Sequence, residues 1–158
     1  MKIISCEYDE KTGRTVAKLG TELGIFIGQS FFNKEKDPLR PSRLIGGQLA
    51  ENNAYQRYYQ QILKNQKQEL KGLNRLLAAM PDNIQGKKYA KNLYNTIKTE
   101  ISETKWTLIE LQERRSQIIE GRAIYIRSRT IDKEERAQML QSLGDSLASL
   151  SNINKDKD

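Results

Sequence analysis

The chain contains no histidine, which removes at one stroke the commonest general base, the usual Ser-His and Cys-His pairings and most zinc sites. Cysteine is almost absent too. Cys6 stands alone, so no disulfide framework staples the fold. The 3 prolines, Pro38, Pro41 and Pro81, cluster at two places and leave long stretches free of helix breakers. Long apolar runs are also lacking: the longest, residues 19–32, contains Glu22 and Gln29 and falls short of the roughly 20 residues a spanning helix needs. The first residues show neither the basic start nor the cleavage pattern of a signal peptide, so the expected location is cytoplasmic, or inside a virion or large assembly.

What is present is helical periodicity. Over residues 52–80, Tyr55, Tyr59, Ile62, Gln66, Glu69, Leu73, Leu76 and Met80 fall on one seam at heptad spacing, with Gln66 and Glu69 as polar interruptions. Over residues 87–127, Ala90, Tyr94, Ile97, Ile101, Thr104, Leu108, Leu111, Arg115, Ile118 and Arg122 repeat the spacing, and the seam decays towards its far end. Between them, Met80-Pro81-Asp82-Asn83-Ile84-Gln85-Gly86 joins a helix breaker to turn formers, and so short a connection makes the helices antiparallel. Rods of roughly 40–60 Å follow from a rise of about 1.5 Å per residue.

The N-terminal part reads differently. Residues 2–8 are rich in β-branched side chains, Asp9-Glu10-Lys11-Thr12-Gly13 makes a hairpin loop with Gly13 where a positive φ is wanted, and residues 14–19 return. Two strands alone are marginal in water, so the pair must lean on a third strand, a helix or a neighbour. Residues 20–32 fit a strand through Leu23, Ile25, Ile27 and Phe31, or a helix with Gly20, Gly24 and Gly28 on one stripe. Each interior glycine costs a helix about 1 kcal/mol, which favours strand or irregular structure. Pro38 and Pro41 mark a linker, and Gly46-Gly47 is expected to interrupt any helix begun at Ser42. Residues 122–131 suit a strand nearly as well as a helix. Asp132 followed by Glu135 resembles a capping box, with Ala137, Leu140, Leu143, Leu147 and Leu150 on one face beyond it.

The predicted fold class is therefore mainly α: a long, coiled-coil-like antiparallel helical hairpin with a small N-terminal β-hairpin and a short C-terminal helix. The expected organisation is a β-hairpin and apolar docking segment over 1–32, a linker over 33–48, the helical hairpin over 49–129, a C-terminal helix over 130–150 and a mobile tail over 151–158. Two narrow seams cover little else. Tyr58, Leu63, Leu70, Leu77, Leu93, Trp106 and Ile119 are left over, and this surplus is the main reason to expect protein partners, homo-oligomers first.

Charge points to a second class of partner. The net charge of +7 lies on the hairpin, where residues 51–129 carry 15 basic against 8 acidic side chains. Lys64, Lys67, Lys71 and Arg75 recur at three- and four-residue steps, Lys87, Lys88 and Lys91 follow the turn, and Glu69 is the only acid across 52–79. Such a stripe can track a phosphate backbone, and Tyr55, Tyr58 and Tyr59 beside Arg57 can stack on bases. The plainer alternative, a solvated outer face with the tyrosines in the seam, weighs more. Arg114, Arg115, Arg122, Arg127 and Arg129 form another basic group, with Glu110, Glu113 and Glu120 on hand to pair with them.

No residue reads as catalytic, cofactor-binding or metal-binding. Glu100 with Glu103, and Glu110 with Glu113, share helical faces, but basic neighbours make a solvated, salt-bridged face the better reading. Gly86-Lys87-Lys88 fails as a phosphate-binding loop, which needs glycine at Pro81 and Ser or Thr at Lys88. Trp106 lies beside the seam, where core packing is expected; exposed, it becomes the first interface anchor to test. With Leu23, Ile25, Ile27, Phe31 and Phe32 it makes up the candidate protein interface. The leading expectation is a non-enzymatic structural or assembly protein, with a virion component suggested by analogy alone. The alternative is a basic nucleic-acid-binding or regulatory accessory protein. No cofactor, small-molecule substrate or membrane contact is expected.

Overall fold

The computed structural model describes the backbone of residues 1–31, 43–82 and 85–155, and their side chains except at 43, 122–134, 136, 139 and 149–155. Three strands, β1 (Lys2–Asp9), β2 (Arg14–Thr21) and β3 (Gly24–Phe31), precede two helices, α1 (Arg43–Ala79) and α2 (Gln85–Lys155). The strands form one antiparallel sheet in the order β1-β2-β3. Chain contacts divide the protein into two units, Met1–Ile118 and Ile119–Asp158.

Turn chemistry sets the sheet. Asp9 organises the first loop: its carboxylate accepts from Lys11 N at 2.9 Å and from Thr12 Oγ1 at 2.7 Å. Gly13, at φ 67°, donates its N–H to Asp9 O at 2.8 Å. The second hairpin turns through Glu22-Leu23, with Thr21 paired to Gly24 and Gly24 at φ 117°. Apart from the turn at 22–23, residues 20–31 are thus strand, and the third strand supplies the support that two alone lack.

Alternation gives the sheet two unlike faces. In β2, Thr15, Ala17 and Leu19 point inward and are buried, and their partners across the register are Tyr8, Cys6 and Ile3 on one side and Ser30, Gly28 and Phe26 on the other. This inner face receives α1 through small residues. Gly46, Ala50 and Ala54 recur every four residues along the helix; Gly28 meets Ala50 and Ala54 at a distance that no side chain could share, and Gly46 faces Thr15 and Ser30. Ser30 Oγ adds a bond to Gly46 O at 2.7 Å. The helix therefore runs straight through Gly46-Gly47, which was expected to interrupt it; close packing on the sheet offsets the low helix propensity of the two glycines.

Beyond Ala54 the interface fills with larger groups. Leu19, Ala54 and Tyr58 form the buried cluster, flanked by Ile3, Phe26, Tyr55, Tyr59 and Ile62. Phe26 and Tyr58 meet edge to face at 5.6 Å, as do Tyr58 and Tyr59 at 5.0 Å. The α1 flank also covers the free edge of β3, where Asn53 Nδ2 donates to Gln29 O at 2.7 Å and Arg57 donates to Ile27 O at 2.8 Å. Capped carbonyls blunt an edge that would otherwise offer itself to another strand.

Within the first unit, α1 and α2 pack as the expected antiparallel hairpin. On α2, Ala90, Ile97, Ile101 and Thr104 are buried, and Tyr94, Leu108, Leu111 and Ile118 are half-buried. On α1 the seam differs at its far end: Glu69 and Leu76 are exposed, and Leu70 and Leu77, one step along, take their places beside Leu73 and Met80. A straight helix at 3.6 residues per turn drifts about 20° per heptad, and a charged Glu69 gains from moving outward. Two polar contacts cross the hairpin, Thr104 Oγ1 to Gln66 Oε1 at 2.9 Å and Asn52 Nδ2 to Leu111 O at 3.0 Å.

In the second unit the backbone of α2 is helical to Lys155, so residues 122–131 are helix. Residues 130–150 are helical as expected and continue α2 without a new start at Asp132. Leu140, Leu143 and Leu147 are exposed on it. Residues 33–42 of the expected linker and 156–158 of the expected tail lie outside the described residues; residues 43–48 belong to α1.

Candidate functional site

The outer face of the sheet presents a contiguous group of exposed apolar side chains. Ile4 (57% exposed), Ile25 (63%) and Phe31 (70%) stand on it with Ile27, and Leu23 projects from the turn beside them. The alternation that buries Thr15, Ala17 and Leu19 forces their neighbours to the other side, and among the described residues of the first unit no helix covers that side. Gly20 belongs to the same face, where the Ile4 side chain lies over it. Three cations border or cross the patch: Lys2 on β1, and Arg14 and Lys18 on β2, with Arg14 over the Phe31 ring at 5.9 Å. Glu7 and Asp9 on β1 are the acids on this side, with Asp9 directly across the register from Arg14. Of the expected interface residues, Leu23, Ile25, Ile27 and Phe31 come together here, and Phe32 lies outside the described residues.

Trp106 is elsewhere, and it does not pack in the core. It is 65% exposed. At about 100° per residue it lies nearly opposite the seam of Ala90, Ile97, Ile101 and Thr104. The helix meets α1 through one narrow face, so a residue half a turn away has nothing to pack on. Its exposed neighbours on that outward side are Ile109, Glu103, Glu110 and Glu113.

The basic ridge is a third surface. Lys64, Lys67, Lys71 and Arg75 are exposed along the side of α1 turned from the seam. The stems of Lys64, Lys67 and Lys71, with Gln60, Leu63 and Gln68, line an apolar trough of about 390 Å³. Beyond the turn, Lys88 and Lys91 are exposed, but Lys87 is occupied: its Nζ donates to Met80 O at 3.1 Å and pairs with Asp82. The ammonium caps the C-terminal end of α1, where a cation suits the helix dipole, and it holds the Asp82 carboxyl below its ordinary range. Lys87 thus belongs to the turn. Tyr58 is likewise lost to base stacking, because its ring is buried against Leu19 and Phe26.

One electrostatic contact had no signal in the sequence. The Tyr58 hydroxyl donates to Glu22 Oε1, 36 positions away, which ties the second hairpin turn to α1. This bond, helped by burial, pushes the Tyr58 phenol up to about 12, and the same bond holds Glu22 below its ordinary value. The register of β2 and β3 that brings Glu22 to Tyr58 is legible only once the sheet is placed on α1.

Glu100, Glu103, Glu110 and Glu113 are all exposed, and among the described residues no three Cys, Asp or Glu side chains gather to hold a metal ion. No helix searched among the described residues is long and apolar enough to cross a membrane. Comparison with models of known protein families, with curated proteins and with solved structures finds no match to this chain.

Proposed function

We propose that the chain is a non-enzymatic structural protein that assembles with protein partners into a multi-subunit complex, using the outer face of its sheet as the principal contact. The observation that carries this reading is the exposure of Ile4, Ile25, Ile27 and Phe31 side by side on one three-stranded face. Apolar surface removed from water contributes about 25 cal/mol per Å², and contiguous apolar patches on soluble chains mark contact sites. The α1–α2 hairpin suits a spacer or strut in such a complex, and a virion is one assembly that uses small basic subunits of this kind.

The test is mass in solution. Multi-angle light scattering over a hundredfold range of concentration is expected to show association. A monomer of 18.2 kDa that does not change with concentration removes homo-assembly.

A second reading, a nucleic-acid-binding or regulatory accessory protein, is favoured by the exposed and like-charged Lys64, Lys67, Lys71 and Arg75. Phosphate contacts made by such a ridge release counterions, so binding falls steeply with salt. The same scattering experiment with added nucleic acid distinguishes the two, since only this reading expects the mass to rise on its addition.

A further inference from the structure

We infer that the partner of the outer sheet face is a second copy of this chain, and that it is seated through the outward side of α2 around Trp106. The inference rests on the assembly reading above and specifies its contact.

Charge decides the pairing. The sheet face combines apolar Ile4, Ile25, Ile27 and Phe31 with Lys2, Arg14 and Lys18, against the acids Glu7 and Asp9, so its charge is net positive. The outward side of α2 combines apolar Trp106 and Ile109 with Glu103, Glu110 and Glu113, all exposed, and Lys105 and Arg114 stand about a quarter-turn away on its two flanks. Among the described residues none of these three glutamates and none of the three sheet cations forms an ion pair. The first surface is net positive and the second net negative. A two-fold pairing of sheet face on sheet face would bring two net positive surfaces together, with Lys18 at the centre of each, and like charges brought together in an interface are penalised.

Shape agrees. A strand of eight residues at about 3.3 Å per residue is about 26 Å long, and three strands about 4.8 Å apart make a face that one helix covers. The segment 103–113 rises about 15 Å, enough to lie along it. The sheet would then carry α1 on its inner face and α2 of a second copy on its outer face, a two-sided cover that suits a thin sheet with apolar residues on both faces. The contact joins two different surfaces, so every copy keeps one of each free, and assembly closes into a ring or runs on as a filament. A face of a few hundred Å² per partner is at the small end of specific interfaces, and association is expected in the micromolar range or weaker.

The experiment uses two single variants at exposed positions, Ile25→Glu on the sheet and Trp106→Lys on α2, each checked for native circular dichroism. Wild type is expected to gain mass with concentration and each variant alone to stay monomeric. An equimolar mixture is expected to give a dimer of twice the monomer mass and nothing larger, because the intact α2 side of one variant fits the intact sheet of the other. If wild type assembles and the mixture stays monomeric, or if Trp106→Lys assembles as well as wild type, this contact is wrong while the assembly reading stands. If wild type is monomeric throughout, both fall. Should Ile25→Glu misfold, Lys18→Glu and the pair Glu103→Lys with Glu110→Lys carry the same logic. Each is expected to weaken association about tenfold and all three together to recover it; failure to recover overturns the contact.

Discussion

Gly28 on β3 lies so close to Ala50 on α1 that a Cβ on the glycine would stand 1.9 Å from the Ala50 carbonyl oxygen and 2.3 Å from Ala54 N. Backbone faces backbone here, and neither can swing aside as a long side chain would. The helix rests on the sheet at this point, and the cluster of Leu19, Tyr58 and Phe26 closes around it.

Gly28→Ala is therefore expected to destabilise the first unit by about 3 kcal/mol or more, since it must lift α1 from the sheet and open its core. Gly72→Ala supplies the contrast. Gly72 lies within α1 with nothing near the place a Cβ would occupy, and the substitution is expected to stabilise by about 0.5–1 kcal/mol through helix propensity alone. Urea denaturation followed by circular dichroism measures both, and equal effects of the same sign would contradict the packing described.

The Glu22–Tyr58 bond makes stability depend on pH at both extremes. The folded state keeps the phenol neutral up to about 12, above its ordinary 10.0, so this contribution is complete below pH 10 and is lost as pH rises from 10 towards 12. Glu22 behaves in the opposite sense: its lowered pKa contributes above its ordinary 4.5 and is lost as pH falls below that value. Tyr58→Phe is expected to cost about 0.5–1.5 kcal/mol at neutral pH and to flatten both limbs of a denaturation-midpoint profile from pH 3 to pH 12. A profile unchanged by the substitution would show that the bond does not form in solution.

Gln66 and Thr104 interrupt the two apolar seams, and they interrupt them opposite each other. Thr104→Val is expected to destabilise the hairpin by about 1–2 kcal/mol by stranding the Gln66 amide in a half-buried place. Gln66→Leu combined with Thr104→Val is expected to recover that loss or exceed it, because two apolar groups replace a polar pair. A double-mutant cycle in urea reads the coupling, and strict additivity would mean that the two side chains do not meet.

Lys64→Glu, Lys67→Glu and Lys71→Glu together are expected to leave the denaturation midpoint nearly unchanged, within about 0.5 kcal/mol per site, because all three side chains are exposed. Retention on an immobilised polyanion at low salt is expected to disappear. Elution of wild type and the triple variant at the same salt concentration would show that the ridge is not the anionic contact.

Much of the architecture was legible in the residues. The α2 seam from Ala90 to Ile118 follows the 3.5 spacing because a helix that touches one neighbour along one stripe must repeat its apolar residues at that period. The Asp9 to Gly13 loop was legible because a positive φ selects glycine locally. Where signals were short the outcome depended on what lay opposite. Gly46-Gly47 reads as a break in any helix considered alone, and the sheet above it reverses that judgement. Glu69 and Leu76 fit the heptad and still lie exposed, because the seam drifts one step around α1 to Leu70 and Leu77.

The local code of period and turn determined by itself that this chain makes two long helices and antiparallel strands, since each depends on residues only a few positions apart, whereas the cap signal at Asp132 started no new helix. The tertiary structure alone decided which face each element hides. Trp106 turns outward, Tyr58 turns in to reach Glu22, and Ile25, Ile27 and Phe31 gather on an uncovered sheet, because these outcomes depend on contacts tens of residues away that no local spacing encodes.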